Sequence, residues 1–454
     1  MTSIMQLRDG RRQRLAVLLC GAVLMLSQST PLPAAAGQKA HANAPAQATG
    51  QRAPTLGADL YFANNISPLI AAWQDKQQGD EMAAAFKAAG LKSLRFSSHG
   101  YYSARGEQAT AQVKAENKLT NQYPWFALDD YADFIAAHDF TTVFGVNVEE
   151  GPQAAFDAVQ KFLSRNLQAK LVAVELSNEP WLNYRPWQPE EYAVRAADVI
   201  ERLTPLGVRF ALPLTVGNDN NTPTKLTDTV WNTRMLQALT KRIDLASRTD
   251  ILGVLHLYSG GMRGKSVDYF NQIVRPFAPR MRYLVTEFNI RLSLEGNPHL
   301  TNKYAMEMAR KLADVLSRPE IEAMYIHAVP YHSVLYWANR RGRVTVVGLA
   351  DERLKGEALN RGWHLTPAGR VYGFYSRLAW NGDLLDYHGG DQQSYWAVRA
   401  SDGRTIITLL NDDDRATKKK LKVAGHELTL AAPPRAIVSF DISGQEVERL
   451  VLPY

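Results

Sequence analysis

Eight short, apolar, β-rich segments alternate with amphipathic stretches from Leu56 onward, and this alternation restricts the chain to a parallel sheet covered by helices. The segments are ADLYFAN from Ala58, SLRFSS from Ser93, TTVFGVNV from Thr141, LVAVELSN from Leu171, RFALPLTV from Arg209, ILGVLHLYS from Ile251, RYLVTEFN from Arg282 and AMYIHAVP from Ala323. Between them lie DEMAAAFKAAG from Asp80, QAAFDAVQKFL from Gln153, PEEYAVRAADVIERL from Pro189 and KYAMEMARKLADVL from Lys303. Their apolar residues recur at three- and four-residue spacing, with a Pro or an acid near several starts, as amphipathic helices require. LTPAGRVYGFYSRL from Leu365 supplies a last helix. Eight such units favour a closed α/β fold, the (β/α)8 TIM barrel, over an open doubly wound sheet with fewer strands.

After about Ala379 the text changes to short alternating runs, YWAVRA, TIITLLN, LKVAG and AIVSFDIS, broken by Gly, Asp and Pro. They predict a small antiparallel β domain of sandwich type, which a strand near Arg52 to Leu56 could join. The expected organisation is a signal peptide over 1–36, a flexible Ala/Gln/Gly/Pro linker over 37–54, a catalytic barrel over 55–380 and the β domain over 381–454.

The signal reading rests on Arg8, Arg11, Arg12 and Arg14 followed by the apolar run Leu15 to Leu26 and the small residues Ala34 to Ala36. An uncleaved anchor would need roughly 20 apolar residues, more than this run offers. Cleavage before Gly37 would send the protein to the periplasm or outside the cell, with no membrane insertion afterwards. The single cysteine, Cys20, lies in that segment, so disulfides, thiol catalysis and cysteine metal sites are excluded from the mature chain. The net charge is +7, of which the segment up to Ala36 holds +3, and what remains is a mild bias. It permits an acidic polysaccharide but does not point to nucleic acid. The run Lys418 to Lys420 reads as a solvated strand edge.

The unusual polar residues fall at the C-terminal ends of the strand segments, where such barrels place their active sites. VAVELSNEPWL brings Asn178 and Glu179 to the end of strand four, and YLVTEFNI places Glu287 on strand seven. Two carboxylates facing one mouth can flank a glycosidic bond, one protonating the leaving oxygen while the other attacks the anomeric carbon. The acid must hold a proton, which partial burial and a neighbouring negative charge favour. The nucleophile must stay ionised, and Arg95 is the obvious cation to keep it so. Glu175, four residues before Glu179, reads as a satisfied interior carboxylate. Tyr101, Tyr102, Trp181, Tyr184, Trp187, Tyr331, Tyr336 and Trp337 fall in the expected mouth loops, where flat rings suit sugar faces. The spacings of His99, His327 and His332 match no compact zinc pattern; no metal and no cofactor is expected.

The NEP triplet ending strand four, the glutamate on strand seven, the arginine on strand two and the HLY segment on strand six resemble clan A of the glycoside hydrolases. The resemblance covers the barrel from about Leu56 to Ala379 and extends to the β domain found in families 39, 79, 51 and 30; it is closest in texture to families 39 and 79, which include enzymes cutting bacterial exopolysaccharide. It implies Glu179 as acid/base, Glu287 as nucleophile, Asn178 as a ligand of the sugar 2-hydroxyl, Arg95 and Tyr258 as supports of Glu287, and His256 as a pocket residue. Many members carry a tryptophan platform at the end of strand eight. AMYIHAVP has none, and Trp337 follows several residues later.

The expected function is retaining cleavage of a polysaccharide, endo-acting on an exopolysaccharide or acidic glycan, by a monomer. Exo-action on oligosaccharides, sugar transfer, and a carbohydrate-binding protein without turnover are the alternatives. Arg185, Arg263, Arg291, Arg340, Arg341 and Arg343 in the expected mouth loops are the residues that suggest an acidic glycan.

Overall fold

A parallel strand cannot return through a tight turn, so each needs a crossover, and helices covering both sides make the strands apolar throughout. The computed structural model describes residues 53–60, 76–96, 128–181, 187–216, 225–259, 266–290, 301–329, 335–338, 362–389 and 392–453. The signal, most of the linker, His99, His332, the six loop arginines and the loop tyrosines Tyr101, Tyr102, Tyr184 and Tyr331 lie outside them. So do the side chains of Tyr336 and Trp337.

Eight parallel strands form a closed barrel in sequence order: β1 (Thr55–Leu60), β2 (Ser93–Phe96), β3 (Thr141–Val146), β4 (Leu171–Leu176), β5 (Phe210–Pro213), β6 (Ile251–Ser259), β7 (Tyr283–Ile290) and β8 (Ile321–Val329). Thr55 pairs with Ala323 and Gly57 with Tyr325, so β8 returns to β1. The stretch around Thr55 and Leu56 therefore opens the barrel and is no strand of the C-terminal sheet. One thread of the other expectation survives: Ala53 donates its N–H to the carbonyl of Gly382 at 2.7 Å.

Among the described residues the helices are α1 (Lys76–Ala88), α2 (Leu128–His138), α3 (Pro152–Leu163), α4 (Pro189–Leu203), α5 (Asp228–Leu239), α6 (Val267–Val274), α7 (Asn302–Leu316) and α8 (Pro367–Phe374). Thr227, Ser266, Thr301 and Thr366 cap α5, α6, α7 and α8, each accepting a backbone N–H of the first turn. The inward stripe of α4, including Tyr192, Ala196, Ile200 and Leu203, is fully buried, as the periodicity of its sequence demands. None of the described helices is long and apolar enough to cross a membrane.

Inside the barrel, Val143, Ala173, Ala211, Leu252, Val254, Leu284, Ala323 and Tyr325 form a layer of their own. Gly57 makes room for Tyr325: a Cβ there would come within 2.5 Å of the ring. The Tyr325 hydroxyl meets Ser93 Oγ at 2.9 Å, which completes a floor beneath the more polar residues toward the strand ends.

After the barrel, β9 (Leu335–Ala338) pairs with β10 (Gly362–Leu365), with Trp337 opposite Trp363. The remaining strands are β11 (Gly382–His388), β12 (Gln393–Ala400), β13 (Thr405–Asn411), β14 (Thr417–Val423), β15 (His426–Ala432), β16 (Ala436–Asp441) and β17 (Glu446–Val451). They make an antiparallel sheet ordered β11-β12-β13-β16-β17 and a separate β14-β15 hairpin. Lys418 and Lys420 are exposed on that hairpin. One face of the sheet, through Ala397, Ile407, Leu409 and Val438, packs with Leu421, Val423 and Leu430 of the hairpin. The other, through Trp396, Val398, Ile406 and Leu410, joins the core that runs through the barrel. Burial on both faces explains why TIITLLN carries apolar residues at successive positions, Ile406 and Ile407 and then Leu409 and Leu410.

Trp396 is the centre of that junction. It stacks on Trp380 with ring centroids 5.1 Å apart, stands edge-on to Tyr375, and donates its indole N–H to the carbonyl of Ala379 at 2.7 Å. Trp396→Ala is expected to destabilise the protein by about 3–5 kcal/mol, as large aromatic truncations in cores do. Denaturant unfolding measures this; a loss under about 1 kcal/mol would show that the sheet does not depend on this contact.

Candidate active site

The C-terminal ends of β1, β2, β4, β6, β7 and β8 converge on one charged cluster. Arg95 on β2 is its hub and is fully buried. Its Nε and Nη2 donate to both oxygens of Glu175 at 2.7 and 2.6 Å, the planar fork matching the carboxylate edge to edge. Nη1 donates to Asp59 Oδ1 at 2.9 Å and to Glu287 Oε1 at 3.0 Å, and Nη2 also reaches Asn178 Oδ1. Burial works against the guanidinium charge; Glu175, Asp59 and Glu287 more than offset it, so its proton is held more tightly than usual.

Glu287 is gripped on its other oxygen as well. Tyr258 donates its hydroxyl to Oε2 at 2.5 Å, and His256 Nδ1 lies 3.4 Å from the same atom. Burial pushes this carboxyl up, but His256, His327, Arg95 and the Tyr258 hydrogen bond outweigh it and hold it well below the usual carboxylate range. Burial and the Glu287 charge push the Tyr258 phenol well above its ordinary value, so it remains a donor.

Glu179 lies on the turn that leaves β4. Ser177 and Glu179 both have positive φ, 69° and 40°, a conformation that non-glycine residues avoid. The turn is fixed by the Ser177 hydroxyl, which accepts the N–H of Val148 at 3.0 Å, and by the Ser177 N–H, which donates to Val146 at 2.9 Å. Strained backbone held by such contacts aims Glu179 back over the barrel. Its Oε1 lies 3.1 Å from His256 Nδ1, and carboxylate oxygens of Glu179 and Glu287 come within 4.8 Å of each other.

Two triads have ligand-like spacing: Asp59, Glu287 and His327, and Glu179, His256 and Glu287. A cation placed in either would share Glu287 with Arg95 and Tyr258, which already hold both of its oxygens. The first triad includes His327, which belongs to this cluster and was not expected there.

No protein-family model matches the sequence, and no curated protein matches it. Solved structures do. The endo-beta1,6-glucanase BT3312 superposes with a TM-score of 0.53 at 12% identity, over 86% of this chain and 91% of that one. SrfJ from Salmonella typhimurium gives 0.53 at 9% identity, over 85% and 88%. The GH51 arabinofuranosidase from Xanthomonas axonopodis pv. citri gives 0.50 at 15% identity, over 90% and 94%.

This chain shares their fold. The likeness implied by the motifs therefore holds at the level of architecture, a parallel barrel carrying an antiparallel sheet. At these identities it extends no further.

Of the residues picked from sequence, Arg95, Asn178, Glu179, His256, Tyr258 and Glu287 meet in one cluster. Trp181 does not. It is 2% exposed and stands edge-on to Trp231 with centroids 5.5 Å apart, so its ring is occupied by the core and offers no sugar-facing surface. Trp187 is buried too, its indole donating to Glu149 Oε1 at 2.9 Å. The backbone of Trp337 is on β9, outside the barrel strands, and its side chain lies beyond the described residues. Asp59 and His327 were missed. Asp59 pairs in register with Arg95 on the neighbouring strand, so an acid on strand one level with the arginine on strand two was the available signal.

Proposed function

We propose that this protein is a retaining glycoside hydrolase that cleaves a polysaccharide, with Glu179 as general acid/base and Glu287 as nucleophile. The observation that carries the reading is the approach of the two carboxylates within 4.8 Å at the strand ends of a barrel. Retaining enzymes hold this pair roughly 5–5.5 Å apart, whereas inverting ones leave about 6.5–9.5 Å for a water. Their surroundings support a division of labour: Arg95 and Tyr258 each hold one oxygen of Glu287 and keep it ionised, while Oε1 of Glu179 faces His256 at 3.1 Å.

In the first displacement Glu287 attacks the anomeric carbon while Glu179 gives its proton to the departing glycosidic oxygen. In the second, Glu179 takes a proton from water, the water oxygen bonds to the anomeric carbon, and the electron pair of the ester bond returns to Glu287. Arg95 holds the Asn178 amide oxygen and so fixes the orientation of this side chain, the one the sequence motif assigns to the sugar 2-hydroxyl. Tyr258 and Arg95 fix the nucleophile so that little reorganisation accompanies reaction.

The finer reading is endo-cleavage of an exopolysaccharide outside the cytoplasm. The export-type N-terminal sequence supports the location. Turnover should first be screened on neutral and uronate-bearing polymers. The decisive measurement is the anomeric configuration of the product released at early times, followed by NMR before mutarotation. Retention is expected; net inversion, or no turnover on any glycan, would overturn the assignment.

A further inference from the structure

The wall formed by β1 and β8 carries a pair of residues that the double displacement just described does not use. His327 Nδ1 lies 2.6 Å from Asp59 Oδ2 and 3.8 Å from Glu287 Oε2. Its ring stands edge-on to Tyr258, centroids 5.8 Å apart. The Asp59 side chain is 1% exposed and that of His327 is 21% exposed, so the pair is anchored in the barrel through Asp59. Asp59 and Glu287 are thereby bridged twice, by Arg95 across Oδ1 and Oε1 and by His327 across Oδ2 and Oε2.

The charges facing this spot decide what state His327 takes. Glu175 from β4, Asp59 from β1 and Glu287 from β7 surround Arg95 from β2, and Tyr258 and His256 from β6 and Glu179 beyond β4 complete the ring. Three carboxylates on one buried guanidinium leave negative charge in excess, which a low-dielectric site relieves with a further cation or a bound proton. A carboxylate can only accept, so the contact with Asp59 places a hydrogen on Nδ1 of His327. Burial opposes the charge of this imidazole, but Glu287 and Asp59 prevail and hold its proton more tightly than usual.

We propose that His327, oriented by Asp59, is a further positioning cation for Glu287, acting from the β8 side on Oε2, the oxygen His256 also faces, opposite Arg95 on Oε1, and that its charge assists departure of the carboxylate in the second displacement. The kinetic half rests on the hydrolase reading. In that step the bond between the anomeric carbon and Glu287 breaks as the water oxygen attacks, the electron pair passes to Glu287, the water proton passes to Glu179, and His327 keeps its own proton. A cation beside the departing carboxylate stabilises the charge that develops there.

Two measurements test it. First, the ring resonance of His327, identified by its loss in His327→Gln, is titrated by NMR in the wild-type chain and in Glu287→Gln. Its midpoint should fall in Glu287→Gln; an unchanged midpoint overturns the proposal. Second, an aryl glycoside with a good leaving group is used so that the second displacement limits turnover. In His327→Gln, kcat and KM should fall together by about tenfold, leaving kcat/KM near wild type on its plateau. The acid limb of kcat/KM should move up by about one pH unit as Glu287 loses a cation, and His327→Lys should move it back. A uniform fall in kcat with KM and the acid limb unmoved would mean that His327 only fills space, and would overturn the proposal. A wild-type protein inert toward every glycoside, with the NMR coupling intact, would instead remove the hydrolase reading and the kinetic half while supporting the pairing of His327 with Glu287.

Discussion

Glu287→Gln is expected to lower turnover of every glycoside substrate by at least about 10⁴-fold, because the variant keeps the shape of the site and loses the atom that forms the covalent bond. Glu179→Gln should behave differently according to the leaving group. On a polysaccharide, whose departing oxygen needs a proton, the loss should be about 10²–10⁴-fold. On an aryl glycoside with an acidic phenol the first displacement needs little help, and the missing base slows the second. Azide separates the roles. In Glu179→Gln it can attack the glycosyl-enzyme without a base and should give a glycosyl azide of retained configuration. In Glu287→Gly, which truncates the nucleophile and opens its space, azide can attack substrate directly and give the inverted azide. Equal losses for the two Gln variants across all leaving groups, with no azide product from Glu179→Gln or Glu287→Gly, would remove the assignment of the two acids.

These acids were readable in the sequence because each follows an apolar run that ends abruptly in polar residues, and a parallel barrel puts all such ends at one mouth. The same logic reached Arg95, His256 and Tyr258. It could not reach the link between Asp59 and His327, which are 268 positions apart and meet only because β8 closes onto β1. Closure is a property of the whole barrel, and no local pattern announces it. Trp181 misled for the opposite reason: an aromatic next to a functional turn looks like a platform, yet its indole fits against Trp231 beneath the turn. In the C-terminal sheet, β13 and β16 stood out because both faces are buried. EVERLV on β17 has no fully buried residue and shows no apolar alternation, while a bulge between Leu384 and Asp386 breaks the alternation of β11.

Arg95→Met should be the most destabilising single change in the cluster, costing about 3–5 kcal/mol near neutral pH, the usual result of stripping a buried ion pair of one partner. The side chain is fully enclosed, so no water replaces it, and Glu175, Asp59 and Glu287 all lose their donor. The deficit should depend on pH in a definite direction. In the wild type the Glu287 carboxyl is depressed, so its contribution is present above its ordinary value and is lost as the pH falls through the depressed one. In the variant Glu287 lacks Arg95 and is protonated more readily, which relieves the buried charge, so the gap between the two proteins should narrow in mild acid. Denaturant unfolding at neutral pH and in mild acid measures this, and a gap that widens on acidification would contradict the hub role of Arg95. Stability and chemistry can then be separated with Arg95→Met combined with Glu175→Met, which removes both members of the bidentate pair and should recover part of the lost stability. Activity should not return with it, because Glu287 still lacks the guanidinium on Oε1, and the acid limb of kcat/KM should remain displaced to higher pH.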